Sequence, residues 1–172
     1  HIKGQSLKQH YSNYFLGVPG LQDEITRALD EFEAQMVFHF IPGVVDFMKE
    51  LRENGVKIAI VTSSNDKKMA NAYRAHPELK EMVDRILTAD MFTHSKPHPE
   101  CFLLGAKVFD TERDNCVVFE DSFHGLEAGN RAGMKVIGLA TTNPASAIEA
   151  KACMVIPDFV GFSYEKMRSV LD

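Results

Sequence analysis

The sequence predicts an α/β fold, a doubly wound parallel sheet, and two observations carry that expectation. Short β-branched runs alternate with helical segments from residue 43 onward. Strands separated by helices imply right-handed crossovers, which make the sheet parallel. Several of the strand-like runs end in hydroxyl, amide or carboxylate residues, at the carboxyl edge where open α/β sheets place their ligands.

Taken in order, GVVDFMKELRENG carries apolar residues at Val44, Val45, Phe47, Met48 and Leu51. It begins after Pro42 and stops at Gly55, so both helix end signals are present. VKIAIVT is too short for a helix and predicts a strand buried on both faces. A helix over 66–75 leads to a short strand at RILTA, a helix over 99–109 to NCVVFE, and a helix over 123–132 to MKVIGLA. ACMVI is the last strand, and a helix near 163–171 closes the chain. Residues 1–41 differ. LKQHYSNYFLG and LQDEITRALDEFEAQMVFHF both show helical apolar spacing, with a Gly17, Pro19, Gly20 turn and no strand between them. They predict a helical appendage over 1–41 beside an α/β core over 42–172, with Tyr11, Tyr14 and Phe15 packed between the appendage's helices.

A chain of 172 residues suffices for one core and a small appendage, not two full domains. Its formal charge of −5, with no Lys/Arg-rich cluster, offers no basic face to nucleic acid. Any phosphate it handles is expected on a small molecule. Cys101, Cys116 and Cys153 lack paired C-x-x-C spacing and are expected as reduced core residues of a cytoplasmic protein. No apolar run reaches membrane-spanning length and no signal peptide opens the sequence, so no membrane partner is expected.

Three strand ends carry chemistry. IVTSSND places Thr62, Ser63, Ser64 and Asn65 just before a helix, where hydroxyls and unpaired backbone N–H groups suit an anion such as phosphate. Ordinary N-capping by Ser64, Asn65 or Asp66 is the plainer reading of the same residues. THSKPHPE sets Lys96 in a loop that opens the next helix. VVFEDSFHG ends a strand on two adjacent carboxylates, Glu120 and Asp121, which either complement the following helix dipole or bind a cation. A hydroxyl and amide cradle, a lysine and a carboxylate pair at successive strand ends are the parts of a magnesium-dependent phosphoryl-transfer site.

IVTSSN, SKPHPE and VFEDSFHGLEAGNRAGM resemble the second, third and fourth motifs of the haloacid dehalogenase-like hydrolase superfamily, in its beta-phosphoglucomutase-like branch. The fourth, E-D-S-x-x-G-x-x-A-x-x-A-G-M, is the most specific, and IPGV at 41–44 agrees with it. The resemblance implies a Rossmann-like core, with 1–41 as the latter part of a helical cap. It also implies site roles. Thr62 and the Ser63 backbone N–H would bind the transferring phosphoryl oxygens, with Ser64 and Asn65 beside them. Lys96 would offset charge on the phosphoryl group and the nucleophile. Asp121 would coordinate Mg²⁺, assisted by Glu120 directly or through water.

The departures from the family pattern are informative. The family's nucleophile is an aspartate in an Asp-x-Asp-Gly-Thr/Val motif on its first strand, and this sequence contains no such motif. Asp23, Asp30, Asp66, Asp84 and Asp90 lie in helix or loop contexts unsuited to that role. The nucleophile is therefore expected upstream of His1, since IKGQSLKQ at 2–9 resembles a cap segment that follows the motif in relatives. The slot this leaves in the core is expected to take a cleaved N-terminal segment, a strand from a second copy, or a rearranged sheet. Leu7 and Lys8 stand where phosphoglucomutases keep an arginine for the distal phosphate, which favours hydrolysis over mutase activity.

His94 and His98 have H-x-x-x-H spacing, but Pro97 lies between them, so no helical metal pair is expected. His124 reads as a partly exposed helix residue, and Gly125, Gly129 and Gly133 as points of close helix–sheet approach and a helix end. The function expected is hydrolysis of a small phosphorylated metabolite, such as a sugar phosphate, through an aspartyl-phosphate. A phosphosugar mutase and a non-catalytic phosphate- or partner-binding protein are the alternatives.

Overall fold

In a computed structural model the described residues are 39–172, together with the helical positions 23–25, 27–28 and 31. The expected helical appendage over 1–41 falls almost wholly outside them. From Val44 onward twelve α-helices and strands follow, ten of them where the alternation of periodicities places one. Helix α1 spans Val44–Glu53, β1 Ala59–Val61, α2 Asp66–Ala75, α3 Leu79–Met82 and β2 Arg85–Leu87. After these come α4, Glu100–Val108; β3, Val117–Glu120; α5, Phe123–Arg131; and β4, Lys135–Leu139. Helix α6 at Ala145–Ile148, β5 at Met154–Ile156 and α7 at Tyr164–Arg168 complete the chain. The short helices α3 and α6 were not expected; each is a single turn in a connection.

Every pairing among the described residues is parallel: β1 with β2, β3 with β4, and β4 with β5. The side chains alternate between two cores, as a strand's twofold period requires. On one face Ile60, Phe119, Ile137, Leu139 and Ile156 pack with Phe47 and Leu51 of α1 and Met167 of α7. On the other, Val61, Val118 and Val136 pack with Phe102 and Ala106 of α4 and with Leu126 and Ala128 of α5. Helices on both faces of a parallel sheet make a doubly wound α/β fold. The first face is rich in rings: the Phe47, Phe119, Phe159 and Phe162 centroids lie 5.2–6.3 Å apart. Gly43 makes that packing possible. Its φ is 78°, and a Cβ there would lie 2.5 Å from the carbonyl carbon of Phe159.

Two expectations need correction. Among the described residues the strands form two pieces, β1–β2 and β3–β4–β5, rather than one sheet. VKIAIVT is accordingly not buried on both faces: Ala59, Ile60 and Val61 are all half-buried, whereas Val136–Leu139 of β4, paired on both edges, are fully buried. Between β1 and β3 lies a cavity of about 660 Å³, lined by Ala59, Val61, Val117, Phe119, Phe102 and Gly105 among others. Among the described residues β1 and β3 are not hydrogen-bonded neighbours. The cysteines also divide. All three are free, but only Cys101 is a core residue; Cys153 is exposed, at the start of the edge strand β5, with its thiol donating to the Val136 carbonyl at 3.0 Å.

Candidate active site

The chain leaves β1 through Thr62, whose N–H donates to the Leu87 carbonyl at 2.9 Å and so continues the β1–β2 ladder. The Thr62 hydroxyl accepts the Ser64 N–H at 3.0 Å, which curls Ser63 and Ser64 into a turn. Asn65 caps α2, its side-chain oxygen accepting the Lys68 N–H at 2.9 Å. The cap is thus Asn65 of the three residues considered for it. Asp66 ties the same turn to the end of β2, accepting from the buried Thr88 hydroxyl at 2.7 Å. Ala89 N–H adds a bond to the Ser64 carbonyl at 2.9 Å. The Thr62–Asn65 turn is held from below at three points.

Lys96 is not a solvated surface lysine. It is 5% exposed, and its Nζ donates to Glu120 Oε2 at 2.7 Å and to the Val61 carbonyl at 3.3 Å, 4.8 Å from the Phe102 ring centroid. One ammonium therefore joins the end of β1 to the end of β3 across the cavity between them. A buried cation without such partners would be untenable, and Glu120 supplies the compensating charge. Glu120 Oε1 is anchored in turn by the Ser122 hydroxyl at 2.8 Å and the Ser122 and Asp121 N–H groups at 3.1 and 3.2 Å. Ser122 also caps α5, accepting the Gly125 N–H at 3.1 Å.

That arrangement explains the glycine in FHG. A Cβ on residue 125 would lie 2.0 Å from the Glu120 carboxyl carbon, so α5 can begin against that carboxylate only if position 125 has no side chain. Asp121 points to different partners. Its Oδ2 accepts from the Thr142 hydroxyl and, at 3.4 Å, from Thr141; its backbone carbonyl accepts from the Asn143 side chain at 2.8 Å. Thr141, Thr142 and Asn143 follow β4, the third strand end of the same edge, and were not anticipated. The signal was available, since TTN after VIGLA repeats the pattern of polar residues at a strand tip.

The structure thus brings Thr62, Lys96, Glu120 and Asp121 to one carboxyl edge, with Lys96 and Glu120 in direct contact. The two adjacent carboxylates divide their work: Glu120 is engaged by Lys96 and backbone N–H groups, Asp121 by neutral hydroxyls. Asp121 is therefore the better placed oxygen donor for a hard divalent cation, which takes one or two carboxylates and otherwise keeps water and phosphate oxygens.

Beside this edge, the loop before α4 carries a second cluster. Glu100 accepts the Thr93 N–H and the His94 N–H, each at 2.8 Å, and meets His94 Nδ1 at 2.6 Å. The Thr93 N–H first, then the His94 ring and N–H, hold the Glu100 carboxyl down to about 2.

A family described as haloacid dehalogenase-like hydrolase matches residues 2–139. Among curated proteins, the bifunctional riboflavin kinase/FMN phosphatase of Arabidopsis thaliana is 30% identical over 136 residues, 78% of this chain and 36% of that protein. The fructose-1-phosphate phosphatase of Escherichia coli is 34% identical over 94 residues, 55% of this chain and 49% of its own length. The chain thus spans less than half the length of either relative. Among solved structures, a family IA, variant 3 hydrolase from Entamoeba histolytica superposes with a TM-score of 0.83 at 19% identity, covering 99% of this chain and 80% of that one.

Proposed function

The chain belongs to the haloacid dehalogenase-like hydrolase family, and from that premise we propose that it forms most of the core of a phosphatase acting on a small phosphorylated metabolite, a sugar phosphate in the first instance. The observation that carries this reading is the buried Lys96 ammonium, held between Val61 and Glu120 at the mouth of the β1–β3 cavity. A fixed cation in a partly dry crevice stabilises negative charge on a transferring phosphoryl group far better than a solvated one does. Phosphatases of phosphorylated metabolites among the relatives support the reaction class.

In this reading Thr62 and the Ser63 N–H receive the phosphoryl oxygens on one side of Lys96, and Asp121 stands on the other. Mg²⁺, when bound at Asp121, would neutralise charge on the phosphate. The Asp121 carboxylate, with the Thr141 and Thr142 hydroxyls on its Oδ2, is an oxygen donor set that fits that ion. Glu120 positions Lys96 rather than meeting substrate. The nucleophile is a carboxylate on a further strand that enters the cavity parallel to β1 and β3, so that its tip arrives beside Lys96.

The test is phosphate release from a panel of sugar phosphates by the complete reading-frame product, with and without Mg²⁺. Asp121→Asn should weaken the Mg²⁺ response and cut kcat by about 10²-fold or more, the scale of losing one charge-stabilising element. Full activity in both Asp121→Asn and Lys96→Ala, or no turnover of any phosphomonoester by the intact protein, would overturn the reading.

A further inference from the structure

His94 and His98 do not form a helical pair, because both lie in the loop before α4. The loop itself nevertheless folds them together. Their ring centroids are 4.4 Å apart, and one ligand atom from each of His94, His98 and Glu100 lies within 4.8 Å of the other two. We propose that these three side chains form a binding site for a transition-metal dication of the zinc class, separate from the oxygen-lined Asp121 position.

Four features carry it. The donor set is two imidazoles and a carboxylate, which suits Zn²⁺ and its neighbours and is unsuited to Mg²⁺. The carboxylate is already oriented: two backbone N–H groups, of Thr93 and His94, fix Glu100 at 2.8 Å, as outer partners do for ligating carboxylates. The closure needed is small. Tetrahedral Zn²⁺ with bonds of about 2.1 Å holds its ligands about 3.4 Å apart, so atoms within 4.8 Å need only side-chain rotation. His98 Nδ1, now 4.0 Å from Glu100 Oε2 and in a long 3.3 Å contact with the Glu100 N–H, would move inward, and His94 Nδ1, at 2.6 Å from the same oxygen, would turn outward to admit the ion. The nearest cation in sequence does not oppose the charge: the Lys96 ammonium is turned inward to Glu120.

The imidazoles are 61% and 50% exposed, so an ion reaches them from solvent and water completes its coordination. A bound ion would tie residues on both sides of Lys96 to the first turn of α4.

The test is titration of tag-free protein with Zn²⁺ by calorimetry, with Co²⁺ as a spectroscopic probe. One ion should bind per chain with micromolar affinity, and His94→Ala and His98→Ala should each weaken binding at least tenfold while leaving the circular dichroism spectrum unchanged. Visible Co²⁺ bands should appear in the wild type and vanish in the double variant. Equal Zn²⁺ affinity in wild type and double variant, or no saturable binding by the wild type, would overturn the proposal. Phosphatase activity is not a readout, so the outcome is independent of the proposed reaction.

Discussion

At the scale of single residues, the site is organised around one buried ion pair and the glycine that admits it. Lys96 and Glu120 side chains are 6% and 11% exposed, so removing one charge leaves the other buried without compensation. Lys96→Met or Glu120→Leu alone should each lower unfolding free energy by about 3–5 kcal/mol, while the double variant should recover much of that loss. Denaturant melts of the four proteins measure it, and additive losses would mean that the two groups do not depend on one another. Gly125→Ala attacks the same pair from the helix side. Its new methyl would collide with the Glu120 carboxyl carbon, so a loss of about 1–3 kcal/mol is expected, where an exposed helical Gly→Ala would stabilise.

At the scale of elements, strand alternation and helix end signals were legible almost to the residue: the 66–75 helix is Asp66–Ala75, and 123–132 is Phe123–Arg131. The strand tips were legible as polar residues after apolar runs. Less legible was what each polar residue does there, because Asn65 as cap and Asn65 as ligand have the same sequence, and Glu120 beside Lys96 is a three-dimensional fact. The approach of His94 and His98 in the loop before α4 was missed for a related reason: periodicity reports helices and strands, and a turn that sets one ring against the other has no period. Asp84 shows what an unassigned carboxylate can do at this scale. It precedes β2, accepts the Ile58 N–H at 2.9 Å and the Lys57 ammonium at 3.2 Å, and so pins the start of β1 to the start of β2. The Ile58 N–H, with Lys57 adding to it, holds the Asp84 carboxyl below its ordinary 3.8. The folded state thus releases this proton more readily than the unfolded state. The resulting stability is complete above pH 3.8 and is lost as pH falls through the depressed native value. Asp84→Asn should flatten that part of the acid-unfolding curve, and an unchanged acid limb would remove Asp84 from the linkage.

At the scale of the whole molecule, the division of the sheet has a consequence that backbone geometry makes specific. In a parallel strand the N–H and C=O of one residue point to the same edge, and successive residues alternate. Thr62 donates to β2, so Ile60 faces β2 and Ala59 and Val61 face the cavity; the Val61 carbonyl meets Lys96 there. Cys116 accepts from Lys135 next to β4, so Val118 faces β4 and Val117 and Phe119 face the cavity. Four backbone units from two strands thus line opposite walls of one 660 Å³ space, the arrangement a parallel strand would complete. Amide hydrogen exchange reads this directly. In a dilute sample of residues 1–172, the amides of Ala59, Val61, Val117 and Phe119 should exchange far faster than those of Ile60, Val118 and Val136–Leu139, whose partners lie in the sheet. Protection of the four that grows with protein concentration would show a second copy supplying the strand. Uniform, concentration-independent protection would show that the chain fills the cavity from within, and would remove the space into which the proposed nucleophile strand must fit.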